Sequence, residues 1–198
     1  PFWLQKDSVF VKAGSDGWTE AAFVDFRGTG VGLPASLPEL QYLRYVVVEN
    51  DDWRCATAMV SIAPNLRGFY LCGGALNNEP TTAVAKAFTK TPQLQEVNIS
   101  LRYVDIEASQ TLLDSFRALS LTALECSFFG DQFRETGERF CSYLQSASGL
   151  MYFQFYANCV LLRTAFFEQL RRGPFASKIL QRLILPFSVR GEHIDLLL

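Results

Sequence analysis

Large apolar side chains recur along the chain in one short pattern, in which the first, fourth and sixth residues of a unit are apolar. The pattern occurs six times, and successive first positions are separated by 26, 28, 27, 29 and 30 residues. The six copies are Leu40/Leu43/Tyr45, Leu66/Phe69/Leu71, Leu94/Val97/Ile99, Leu121/Leu124/Cys126, Leu150/Phe153/Phe155 and Leu180/Leu183/Leu185. A period of this length is typical of proteins that are built from stacked structural repeats.

Each unit is predicted to contain one strand followed by one helix. The fourth and sixth residues lie two apart, so on a strand they point to the same side, into the core. Apolar residues at helical spacing then follow. The first helix is predicted from Trp53 through Ile62, and the second opens at Asn78, a candidate cap, with Pro80 in its first turn. The inward stripes of the later helices are predicted at Val84, Ala87 and Phe88, at Leu112, Leu113, Phe116 and Leu119, at Phe140 and Leu144, and at Phe166, Phe167 and Leu170.

The period divides the chain into two regions. Residues 1–37 fit it poorly and are interpreted as an N-terminal cap or a degenerate repeat, with strands at residues 9–11 and 22–26. Residues 38–198 hold about six repeats, the last of them incomplete. Because a terminal repeat must close off the core, we expect the natural protein to continue beyond Leu198.

Composition limits the classes of partner. With 49% hydrophobic and 19% charged residues among 198, the chain can bury a core. The net charge is −2, and the basic residues are scattered, whereas nucleic-acid binding needs clustered positive charge. The apolar runs are too short for a membrane-spanning helix. We therefore expect neither nucleic acid nor a membrane as a partner.

The five cysteines are predicted to be free thiols. Their number is odd, no two form a C-x-x-C pair, and Cys126 and Cys141 fall at apolar positions of the pattern. Free buried thiols indicate a reducing compartment, so a cytoplasmic location is expected, with the nucleus as the alternative.

Candidate catalytic and metal-binding groups are few. The chain has one histidine, His193, which argues against a catalytic triad and against a zinc site. Asp51 and Asp52 stand directly before a predicted helix, where they would cap it. The glycines at Gly28, Gly30 and Gly32 lack the lysine of a phosphate-binding loop. No enzymatic activity, cofactor, metal or small-molecule substrate is expected.

The repeated strand-turn-helix unit, beginning L-x-x-L-x-L, resembles the leucine-rich repeat superfamily, in particular its ribonuclease-inhibitor-like and F-box-associated branches. The resemblance covers residues from about 38 to 185. The pattern is irregular, because only Asn158 stands where the family has Asn or Cys at position nine, and many leucines are replaced. The resemblance implies an α/β solenoid, a horseshoe arc with parallel strands on the concave face and helices on the convex face.

The same resemblance assigns the outward strand positions, the third, fifth and seventh of each unit, to the concave face. Tyrosine and arginine are frequent there, and these residues are over-represented in protein interfaces. The predicted partner-binding residues are Tyr42, Arg44, Tyr70, Glu96, Asn98, Glu125, Tyr152, Gln154, Tyr156 and Arg182. Arg44, Tyr70, Tyr152 and Arg182 in particular are expected to be solvent-accessible on one continuous face.

Two functions are compatible with these features. The first is a non-enzymatic module that binds a protein partner on the concave face; its narrower form is the substrate-recognition part of an F-box-type ubiquitin ligase receptor. The alternative is a structural repeat segment of a larger receptor or assembly, for example an immune-type nucleotide-binding receptor. The family resemblance alone does not choose between them.

Overall fold

Strands and helices alternate along the chain in an α/β fold, as a computed structural model shows. The structure describes residues 11–12, 15, 17, 20–27, 40, 43–49, 53–72, 75–129, 133–173, 176 and 181–184. The strands formed by these residues are β1 (Val11–Lys12), β2 (Phe23–Asp25), β3 (Tyr45–Glu49), β4 (Gly68–Cys72), β5 (Glu96–Arg102), β6 (Ala123–Phe129), β7 (Tyr152–Ala157) and β8 (Arg182–Ile184). The helices are α1 (Trp53–Ile62), α2 (Asn78–Phe88), α3 (Ile106–Arg117), α4 (Arg134–Leu144) and α5 (Val160–Leu170).

The eight strands of the described residues form one sheet in chain order, β1 to β8. Every neighbouring pair is parallel. From β3 to β7 a helix separates each strand from the next, as a parallel connection requires. The predicted alternation of strand and helix, and the parallel sheet, are confirmed.

A single apolar core lies between the sheet and the helices. It contains the fourth and sixth residues of the units, such as Phe69, Val97 and Phe155, together with side chains from all five helices. Each helix packs against the next one in the chain. Among the described residues, therefore, the helices cover one side of the sheet, and the outward strand positions lie on the other.

The helices begin and end largely where the pattern predicts them. Helix α1 has the predicted bounds, and the predicted inward residues of α2 to α5 are buried, although Leu119 follows α3 and is only half-buried. The prediction that Asn78 caps α2 is wrong. The cap position is Asn77, and the Asn78 side chain instead donates to Oδ2 of Asp105 and accepts from its backbone N–H, both at 2.7 Å.

The predicted register of the first repeat is wrong by three residues. Val46 pairs with Phe69 and Val48 with Leu71, so Leu43, Val46 and Val48 form the first core triplet. The physical reason is that Leu40 and Leu43 are themselves three apart, so both frames satisfy the apolar pattern. All three residues of the corrected triplet are buried, whereas Tyr45 points outward and is half-buried.

Several predictions fall on residues outside those that the structure describes. They concern Tyr42, the helix cap at Asp51 and Asp52, His193, the strand residues 9 and 10, the glycines at 28, 30 and 32, the side chain of Arg182, and residues 185–198.

Candidate protein-binding face

The candidate site is the sheet surface formed by strand side chains that point away from the helices, which we call the outward face. The register aligns these side chains in rows across the strands. One row contains Phe23, Tyr45, Gly68, Glu96, Ala123 and Tyr152, and the next contains Asp25, Val47, Tyr70, Asn98, Glu125 and Gln154. A third row contains Ser100, Ser127 and Tyr156.

Aromatic rings stack along the first half of the outward face. The rings of Phe23 and Tyr45 are parallel with centroids 5.1 Å apart, and the Tyr45 and Tyr70 centroids are 6.3 Å apart. Gly68 makes this arrangement possible, because a Cβ there would lie 2.4 Å from Cδ1 of Tyr45 and 2.7 Å from the Tyr70 hydroxyl. The absence of a side chain at Gly68 therefore gives both rings their space.

The Tyr70 hydroxyl connects this aromatic stack to the next strand. It donates to Oε2 of Glu96 at 2.6 Å, and the Tyr70 side chain is only 2% exposed. Burial raises the pKa of Tyr70 well above its usual range, and the hydrogen bond and charge of Glu96 act in the same direction. Tyr70 is therefore a neutral donor that holds one oxygen of Glu96 in place.

A second chain of hydrogen bonds holds Glu125. The Tyr152 hydroxyl donates to Oε1 of Gln154 at 2.6 Å, and Nε2 of Gln154 donates to Oε1 of Glu125 at 3.3 Å. The other carboxylate oxygen, Oε2 of Glu125, is buried and has no hydrogen-bond partner in the described part of the chain. Burial is the largest effect and raises the pKa of Glu125; among the described residues, a hydrogen bond with Asn98 opposes this shift.

Charge is balanced differently at Asp25 and at the two glutamates Glu96 and Glu125 of the outward face. Asp25 lies 2.8 Å from the guanidinium of Arg27 and 3.6 Å from the Lys12 ammonium. Burial alone would raise the pKa of Asp25, but the hydrogen bonds and charge of Arg27, with the charge of Lys12, outweigh it and lower the pKa. Among the described residues, no ion pair forms with Glu96 or Glu125.

Most of the predicted binding residues do lie together on this face, but two are not accessible. Tyr70, Glu96, Asn98, Glu125, Tyr152, Gln154 and Tyr156 occupy outward positions of adjacent strands. The prediction that Tyr70 and Tyr152 are solvent-accessible is wrong: they are 2% and 4% exposed. Each ring lies against the sheet with its hydroxyl bonded to a neighbouring polar side chain, which removes it from solvent.

Arg44 also lies elsewhere than predicted. Because of the three-residue shift in register, it precedes β3, and Tyr45 takes the outward position beside Gly68. Arg44 is half-buried, and its guanidinium donates to the backbone carbonyl of Asn65 at 3.4 Å. Arg182 lies in β8, where its backbone pairs with Tyr152.

Sequence reasoning missed the contribution of Phe23 and Tyr45. Both are half-buried outward residues that extend the aromatic stack toward β2. The signal was available in the second apolar frame, Leu43, Val46 and Val48, which turns Tyr45 outward.

An apolar edge borders the outward face at the carboxyl ends of three successive strands. Tyr103 follows β5, Phe133 follows β6, and Val160 and Leu161 follow β7, and each of these side chains is more than half exposed. Tyr103 has a positive φ of 52°, a strained conformation for a non-glycine residue. On the outward face, near the same strand ends, the rings of Tyr156 and Phe129 are 5.7 Å apart.

The groups that could carry other chemistry are buried or scattered. Cys126 and Cys141 are free and buried as predicted; burial raises the pKa of Cys141 to about 12 and that of Cys126 well above its usual value. In the described ranges, no three His, Cys, Asp or Glu side chains converge as a metal site. Nor does any helix within those ranges combine the length and apolar character that spanning a bilayer requires.

Comparison with known proteins adds little to this picture. No protein-family model matches the chain, and no curated protein matches it in sequence. Among solved structures, it is similar to the tropomodulin C-terminal domain from Caenorhabditis elegans, with 13% sequence identity and a TM-score of 0.48. The match covers 74% of this chain and 89% of that domain. A likeness this distant carries no functional argument.

Proposed function

We propose that the chain is a non-enzymatic, leucine-rich-repeat interaction module that binds a protein partner on its outward face. The observation that carries this proposal is the set of polar and aromatic side chains on adjacent strands, on the side of the sheet opposite the helices, where Asn98, Glu125 and Gln154 are half-buried beside the buried tyrosines. The parallel sheet in chain order, with a helix after each of β3 to β7, supports the repeat assignment. In such an arc this face would be the concave one.

The distribution of polar groups supports binding rather than structure alone. Tyr45, Asn98 and Gln154 present side chains that are neither fully buried nor fully solvated, and Tyr70 and Tyr152 fix the carboxylate and amide beside them. Rigid aromatic residues with oriented polar neighbours are typical of the centre of a protein interface. The substrate-recognition part of an F-box-type ubiquitin ligase receptor is the narrower form of this proposal.

A matched pair of serine variants tests this function. Ser127→Arg places a large side chain in the middle of the outward face, whereas Ser61→Arg places the same side chain on the exposed surface of α1. Immobilised parent, Ser127→Arg and Ser61→Arg are each used to capture proteins from a lysate, and the captured proteins are identified by mass spectrometry. Proteins retained by the parent and Ser61→Arg but lost with Ser127→Arg support the outward face. Equal capture by all three would contradict it.

The alternative function is a structural segment of a larger receptor or assembly. The apolar edge favours it, because Tyr103, Phe133, Val160 and Leu161 would be covered by a neighbouring domain. Replacing Val160 and Leu161 by Ser within the receptor or assembly that this alternative postulates would separate the two functions. Increased protease sensitivity or altered domain association, with partner capture intact, supports the structural role; unchanged behaviour removes the support that this edge gives to it.

A further inference from the structure

We infer that the centre of the outward face binds an arginine side chain presented by the protein partner. This inference rests on the proposed function and specifies the chemistry of the partner. The site consists of Glu96 and Glu125, with Asn98 between Tyr70 and Glu125 in the row that crosses the strands. Every one of these groups is held by a contact within the fold.

The charges on the outward face favour a cationic side chain. Glu96 and Glu125 lie on adjacent strands in diagonal positions, and neither forms an ion pair among the described residues. The described cations that approach the face stand at its borders: Arg27 and Lys12 neutralise Asp25, and Arg67 lies near enough to Tyr45 to affect its pKa. A negative centre with neutralised or positive borders is complementary to a single positive side chain.

A hydrogen bond is missing at Glu125. Among the described residues, the buried Oε2 has no donor, although the other oxygen, Oε1, already accepts from Gln154. A buried carboxylate oxygen without a donor costs free energy, which an incoming N–H group would recover. The fold supplies the acceptor, and the partner is expected to supply the donor.

The geometry of the two carboxylates favours arginine over lysine. The hydrogen bonds from Tyr70 and Gln154 fix the orientations of both carboxylates, so the remaining acceptors have set directions. Guanidinium has five N–H donors in a rigid planar fork that can bridge two such carboxylates, whereas lysine offers a compact point charge. The aromatic stack at Tyr45 lies beside the site and offers apolar surface to the methylene groups of the arginine.

The experiment uses the complete chain and three tripeptides, Gly-Arg-Gly, Gly-Lys-Gly and Gly-citrulline-Gly. Citrulline has nearly the shape of arginine but no charge. Each peptide is titrated into isotope-labelled protein, and backbone amide shifts are followed by NMR. We expect saturable shifts at residues 96–98 and 123–125 with the arginine peptide, at least tenfold weaker binding of the lysine peptide, and none of the citrulline peptide. Equal binding of arginine and citrulline, equal binding of arginine and lysine, or shifts spread over the surface would overturn the inference.

Charge-matched variants localise the effect. Glu96→Gln/Glu125→Gln removes the two carboxylates of the site, while Glu79→Gln/Glu107→Gln removes two exposed carboxylates from the first turns of α2 and α3. Binding should weaken at least tenfold in the first variant and stay at the parental level in the second. Equal weakening in both would show a general charge effect and overturn the site. If the double variant does not fold, Glu125→Gln alone, which removes a desolvated charge, replaces it.

The outcome separates this inference from the proposed function. A captured partner that Ser127→Arg abolishes, but that binds Glu96→Gln/Glu125→Gln as well as the parent, overturns the arginine site and leaves the binding face intact. Arginine-peptide binding at residues 96–98 and 123–125, without any protein partner lost through Ser127→Arg, supports the site and contradicts the proposed function.

Discussion

Gly137 lies in α4 at a close contact with the backbone of α5. We expect Gly137→Ala to destabilise the protein. A Cβ at this position would lie 2.3 Å from the carbonyl oxygen of Leu162 and 3.2 Å from the backbone nitrogen of Phe166. These two atoms belong to the backbone of α5, four residues apart, as acceptor and donor are in an α-helix. Rotation of a side chain cannot relieve the overlap, so one helix must move.

The magnitude follows from two opposing effects. Alanine is favoured over glycine inside a helix by about 1 kcal/mol. Against this, overpacking a tight contact costs about 1–3 kcal/mol, and a backbone obstacle places the cost at the upper end of that range. The separation of the helices also weakens the packing of Phe166, which is fully buried. We therefore expect a net loss of about 1–2 kcal/mol.

Chemical denaturation of the parent, Gly137→Ala and a control measures this loss. The control is Gly149→Ala, because Gly149 is exposed and the nearest atom to an added Cβ, the Leu121 carbonyl oxygen, is at an ordinary 3.6 Å. Gly149→Ala should change the free energy of unfolding by no more than about 0.5 kcal/mol. A Gly137→Ala variant as stable as the parent, or more stable, would refute the close packing of α4 against α5.

Three further variants test the core and the outward face. Phe153→Ala removes a fully buried core ring and should cost about 3–5 kcal/mol in urea denaturation; a cost below about 1 kcal/mol would contradict the register. Thr81→Val should stabilise the protein by about 1 kcal/mol, because the buried Thr81 hydroxyl has no described partner. In the control Thr91→Val, the hydroxyl that is removed donates to the Phe88 carbonyl, so the free energy of unfolding should fall by about 1 kcal/mol. The reverse order of stability would refute the assignment. The raised pKa of Glu125 means that its protonated form stabilises the folded state; this stabilisation is complete below the unfolded pKa of about 4.3 and is lost as pH rises through the folded pKa. Glu125→Gln should therefore flatten that part of the pH dependence in thermal melts. An unchanged slope would contradict the desolvation of Glu125.

The strand-and-helix order could be predicted from the sequence because two local periods carry it. Residues two apart, such as Val97 and Ile99, lie on the same side of a strand, and stripes such as Leu112, Leu113 and Phe116 lie on one side of a helix. Both periods are properties of the backbone alone. The first register failed because Leu40, Leu43 and Val46 are evenly spaced by three, and only pairing with β4 selects the frame.

The composition of the outward face was predictable, but the exposure of its side chains was not. A residue's row follows from counting along each strand, so Glu96, Asn98 and Glu125 were placed correctly beyond the first repeat. Whether Tyr70 reaches solvent depends on its neighbours across the sheet. Tyr70 is buried because Tyr45 stacks beside it, Gly68 gives both rings space, and Glu96 accepts the hydrogen bond of its hydroxyl. Such cross-strand contacts join residues more than twenty positions apart and leave no local signal.

Asp25 and Glu125 show how carboxylates in one row can have opposite effects on stability. Asp25 meets an arginine and a lysine within the fold, its pKa falls, and its charge stabilises the folded state at neutral pH. Glu125 accepts from the Gln154 amide on Oε1, while Oε2 has no donor among the described residues; its pKa rises, and its charge destabilises the folded state at neutral pH. A glutamine at 125 would avoid that loss, so packing alone gives no reason for a carboxylate there. A partner that brings a positive donor, as we propose, would recover the free energy that the fold loses at Glu125.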